Sequence, residues 1–101
     1  MSVMCGGASK ARPASQEEKN FLNEVIHKYL NENNLKSKED TAEIILVSTQ
    51  VVAGTNYFVK VKHGDTHTHL KIFKSLPCNG GECTVSEHIS NLKSEDPLGF
   101  F

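Results

Sequence analysis

A chain of 101 residues has room for one hydrophobic core and not two, since domains commonly hold about 100 to 150 residues. Eleven basic against twelve acidic residues leave a formal charge of −1 with no basic stripe, so nucleic acid is not an expected partner. Apolar residues at 38% and charged residues at 23% suit a folded domain, and no run approaches the roughly 18 to 20 apolar residues that cross a bilayer.

Residues 1–14 are rich in Gly, Ala, Ser and Pro and offer little to bury, which predicts a mobile arm whose apolar tip is Val3, Met4 and Cys5. The start of the chain lacks the roughly 7 to 15 residue apolar stretch of a secretory signal, so cytoplasmic residence is expected, with unconventional release left open. Three cysteines, Cys5, Cys78 and Cys83, are too few for a disulfide scaffold. Ser15 and Glu18 form a capping box that starts a helix. Phe21, Leu22, Val25, Ile26, Tyr29 and Leu30 then recur at three- and four-residue spacing as one apolar stripe, and Asn31 to Asn34 end the run.

After a polar link, Ala42–Gln50, Thr55–His63, His67–Leu76 and Thr84–Leu92 read as strands of alternating or β-branched residues. Gly64-Asp65 and Asn79-Gly80-Gly81 tolerate positive φ, so successive strands return antiparallel. A helix followed by a meander predicts an α+β domain with one sheet face on the helix stripe, burying Tyr57, Val59 and Val61 while Lys60 and Lys62 face water.

The segment Gln50-Val51-Val52-Ala53-Gly54 does not fit this pattern, because it falls where the chain must turn yet carries three consecutive apolar residues. A contiguous apolar tip in water usually marks a contact surface. The competing reading is that both strands run long and the valines fill the core. A second apolar corner, Leu76-Pro77-Cys78, ends the third strand.

These residues carry a resemblance. Gln50-Val51-Val52-Ala53-Gly54-Thr55-Asn56-Tyr57-Phe58 is similar to the hallmark segment of the stefins, the type 1 cystatins, and Lys71-Ile72-Phe73-Lys74-Ser75-Leu76-Pro77 resembles the stefin strand and second loop. Met4-Cys5-Gly6 or Gly6-Gly7 resembles the stefin amino-terminal trunk. The likeness spans the chain and implies a single domain over 1–101 with the cystatin fold: one long helix on a five-stranded antiparallel sheet. The fifth strand would come from about Lys10 to Ala14. It also implies a reversible, competitive inhibitor of papain-like cysteine proteases of cathepsin L, B and H type, with no cofactor, no metal and no catalytic residue. The contact set would be Val3, Met4, Cys5 and the reactive-site Gly6 from the trunk, Gln50, Val51, Val52, Ala53 and Gly54 from the first hairpin, and Leu76, Pro77 and Cys78 from the second. The resemblance implies a mainly monomeric molecule, with a domain-swapped dimer as a second form.

The chain departs from the stefin pattern at Cys78 and Cys83, which flank the second hairpin. A bridge between them is sterically open if the two pair across the hairpin, although free thiols are expected in a cytosolic setting. An enzyme built on a cysteine and one of five histidines lacks a base placed beside a thiol. His67 and His69 share a strand face that Cys78, Cys83 or His88 would have to approach to hold zinc, whereas a hydrated strand explains the two histidines more simply. A non-inhibitory binding or assembly module using the same apolar hairpin is the remaining alternative.

Overall fold

Ser15 caps the helix as its sequence predicts. In the computed structural model, which describes residues 10–35 and 41–98, its hydroxyl accepts the Glu18 backbone N–H at 3.1 Å, and the Glu18 carboxylate accepts the Ser15 N–H at 2.9 Å. Helix α1 runs over Gln16–Glu32 and closes where Asn33 donates back to the Tyr29 carbonyl at 3.0 Å. Leu22, Ile26 and Leu30, four residues apart and so on one face, are fully buried.

Four strands follow: β1 (Ala42–Val52), β2 (Gly54–His63), β3 (Thr66–Lys74) and β4 (Cys83–Leu92). They form one antiparallel sheet in chain order, β1-β2-β3-β4. The helix stripe lies on Ile44, Val47, Val59, Val61, Leu70 and Ile72. Ile44 and Val47 are three residues apart, an odd spacing for one face of a strand; an irregularity in the pairing between Ile44 and Leu46 shifts the phase and turns both inward.

The sheet has four strands among the described residues, not five. The stretch expected to supply the fifth contributes a single antiparallel bridge, in which Arg12 and Val47 exchange N–H···O bonds of 2.9 and 2.7 Å. The physical reason lies just beyond, because the capping box at Ser15 at once turns the chain into α1 before a further rung can form on that side.

Two further expectations need correction. Lys60 is not on the wet side: it is 4% exposed, and its ammonium donates to the Ser94 carbonyl at 2.6 Å. His67 and His69, read as a hydrated strand, are also buried. Ser94 and Asp96, after β4, reach Lys60 and His69 on the sheet face away from the helix, so alternation marks two faces here without marking one of them as solvent. Lys62 is exposed as expected, whereas Tyr57 is only half-buried. Its ring instead meets Phe21 edge-on, with centroids 5.3 Å apart.

Candidate functional site

The β1–β2 hairpin turns through one residue. Val51 pairs with Thr55 and Val52 with Gly54, which leaves Ala53 alone at the tip. The strands therefore do run long, yet they do not carry the valines into the core: Val51 is 66% exposed and Val52 is 40% exposed. Gly54 makes so tight a turn workable, with φ at +131° and its backbone buried. A Cβ there would stand 2.6 Å from the Lys74 carbonyl oxygen and 2.7 Å from Cζ of Phe73, closer than carbon atoms approach. Below the tip, the Asn56 amide donates to Oε1 of Gln50 at 2.8 Å and ties the two strands.

The second loop lies at the same end of the sheet, because Thr55 pairs with Lys74 and thereby sets the start of β2 beside the end of β3. Leu76 is 40% exposed, Pro77 opens a 3-10 turn over Pro77–Asn79, and Cys78 is exposed. The loop closes on itself through Ser75 N–H to the Glu82 carbonyl at 2.9 Å and Gly81 N–H to the Leu76 carbonyl at 3.1 Å. Gly80 and Gly81, at φ of +105° and +63°, supply the left-handed backbone this requires. The two apolar corners are thus pre-formed on one edge.

Val3, Met4, Cys5 and Gly6 lie outside the described residues. The Arg12–Val47 bridge is antiparallel, so the backbone at Lys10 and Ala11 steps toward the Val51 end of β1. Arg12 is further held by a forked pair of 2.7 Å bonds to both oxygens of Glu18. That guanidinium, together with the Ser15 donors and against the opposing effect of burial, takes the Glu18 carboxyl down to about 2.

The cysteines do not pair across the hairpin. Cys83 stands opposite Lys74, whereas Cys78 sits in the turn beyond the Ser75–Glu82 rung, and both thiols are free. Cys83 faces a groove of about 420 Å³ between α1 and β4, lined also by Val25, Lys28, Tyr29 and Val85 and set apart from the two tips. Among the described residues no three His, Cys, Asp or Glu side chains gather as metal ligands. His67 and His69 lie on the face away from α1, while His88 bonds the Tyr29 hydroxyl on the helix side.

Phe73 and the Arg12–Glu18 fork are parts of this edge that the residue pattern did not disclose. One signal for Phe73 was present: a glycine at a strand end often marks a close approach by another group.

Residues 6–91 match the family model of the cystatin domain. Cystatin-B of Oplegnathus fasciatus is 36% identical over 102 residues, spanning all of both chains. Cystatin-B of Homo sapiens is 35% identical over 100 residues, 98% of this chain and all of the relative. Among solved structures, a secreted type 1 cystatin from Fasciola hepatica aligns with a TM-score of 0.79 at 28% identity, over 86% of this chain and 97% of that one. A domain match over most of the length, end-to-end relatives and a shared fold agree with the two apolar corners, and the chain belongs to the cystatin family, in its type 1 branch, whose members inhibit cysteine proteases and are not enzymes.

Proposed function

We propose that the chain, as one domain over 1–101, is a reversible, tight-binding competitive inhibitor of papain-like cysteine proteases, with cathepsins of the L, B and H type as its target class. The observation that carries this reading is the pair Val51 and Val52, apolar and exposed on a hairpin that the fold itself does not need them to cap. Trunk residues Val3, Met4 and Cys5 occupy the unprimed side of the cleft, Gly6 lets the chain veer from the catalytic thiol, and the segments Gln50–Gly54 and Leu76–Cys78 cover the primed side. No bond is formed or broken. Both hairpins are held by their own hydrogen bonds, so docking orders little and the gain from burial is retained as affinity. Fully burying one Val or Leu contributes roughly 1.5 to 3 kcal/mol. The monomer is the inhibitory form, because a swapped dimer that opens the first hairpin would remove the tip at Ala53. Cytoplasmic residence belongs to the same proposal, although the fold also serves a secreted relative.

Val52→Asp tests the reading. The carboxylate stays hydrated on the free tip but must lose water without a partner in an apolar cleft, so affinity falls by about a hundredfold or more, with melting unchanged. A variant that melts like the wild type and still inhibits papain normally would remove Val52 from the contact.

A further inference from the structure

Phe73 belongs to neither apolar corner, yet it stands where both are set. It is the penultimate residue of β3, three before Leu76, and it pairs in the sheet with Asn56 of β2. Its ring reaches past that partner to Gly54, where Cζ and Cε1 lie 2.7 and 2.8 Å from the position a Cβ would take. Gly54 follows Ala53 directly, so the ring supports the hairpin within one residue of its tip. The Gln50–Asn56 amide pair lies next to it. Of the three atoms nearest the Gly54 Cβ position, two belong to the Phe73 ring and the third is the carbonyl oxygen of Lys74 on the same strand.

We propose that Phe73 is a positioning residue for inhibition: its ring, seated on Gly54, fixes the inclination of the first hairpin relative to the second loop. This rests on the inhibitor reading above. Two tips that enter one rigid cleft must keep their mutual angle, and any swing between them has to be frozen on docking at a cost in affinity. β3 delivers both constraints through one residue, since its chain continues into Ser75-Leu76-Pro77 while its ring meets the first hairpin. Phe73 is only half-buried and is not among the residues of the helix-facing core, so its service to the tips is separable from service to the fold.

The test compares wild type, Phe73→Ala, Phe73→Tyr and Val52→Asp for papain affinity, melting temperature and the backbone amide resonances of Val51 to Gly54. Phe73→Ala removes the support. Phe73→Tyr keeps the bulk but adds an oxygen at Cζ, the ring atom nearest Gly54, and so pushes on the hairpin. Both variants are expected to lose about tenfold or more in affinity while folded at the assay temperature, with shifted Val51–Gly54 resonances. If Phe73→Ala does not fold, Phe73→Tyr alone carries the comparison. Wild-type affinity in a folded Phe73 variant, or lost affinity with those resonances unmoved, overturns the proposal while Val52→Asp still abolishes inhibition. Normal inhibition by Val52→Asp takes the first hairpin tip out of the contact instead, and the positioning role falls with it, whereas a wild type that does not inhibit papain overturns the underlying reading.

Discussion

Val52 and Gly54 face each other across the one-residue turn at Ala53 and are suited to it for opposite reasons. One keeps a side chain that the fold does not bury; the other has none because Phe73 and the Lys74 carbonyl already fill its place. The two described cysteines differ as sharply. Cys78 is exposed in the second loop, whereas Cys83 is half-buried beside β3, and burial pushes its thiol up despite the opposing charge of Lys74. The thiolate is the nucleophile, so iodoacetamide at neutral pH should modify Cys78 about tenfold or more faster than Cys83. Peptide mapping over a time course reads this directly, and equal rates would mean that the groove beside Cys83 opens far more than its packing implies.

Helix α1 begins with an interlocked set: the Ser15 hydroxyl, the Glu18 carboxylate and the guanidinium of Arg12, whose backbone makes the bridge to Val47. Ser15→Ala removes one partner of an N–H at the helix start and should cost about 1 kcal/mol. For a domain of this size that lowers Tm by roughly 5 °C in a thermal melt. Glu18 titrates near 2 in the folded chain against an ordinary 4.5. Its contribution is therefore complete above 4.5 and is lost only as the pH falls from there toward 2, so the fork stays intact in mildly acidic surroundings. The helix was legible because a capping box and a 3.6-residue stripe are local signals. The short fifth strand was not, since the extended composition near Lys10 does not reveal that the cap at Ser15 turns the chain into α1 directly after the rung at Arg12.

At the scale of the whole molecule, the sheet uses both faces. The strands and the two apolar corners could be read from alternation and from misplaced valines, but alternation reports only which residues share a face. It cannot report that Ser94 and Asp96, after β4, return to Lys60 and His69, a contact between segments distant in sequence. That cover sets a pH dependence. His69 has a buried Nε2 with no hydrogen-bond partner among the described residues, and its pKa lies below the ordinary 6.5. Burial is the main cause, Lys60 of β2 and His67 of β3 act in the same direction, and Asp96 opposes them; Ile89, its partner on β4, is uncharged. The unfolded chain takes up a proton at this position before the folded chain does. Stability is therefore fully present above about 6.5 and declines as the pH falls from there toward the lower folded value. Melting curves between pH 7.5 and 5.5 should fall less steeply for His69→Gln than for the wild type; parallel slopes would place the dependence elsewhere.

Strand order that equals chain order has a mechanical consequence. At the edge bearing Ala53 and Leu76, the pairs β1–β2 and β3–β4 are each joined covalently by a loop, so no rung there is a loose end. The His67–Leu92 rung closes the opposite edge, where β4 runs out into the carboxyl-terminal residues. Fraying that starts at Leu92 must unzip the length of β4, roughly 30 Å at about 3.4 Å per residue, before it reaches Cys83 and the second loop. The sheet thus comes apart from the end opposite the two apolar corners.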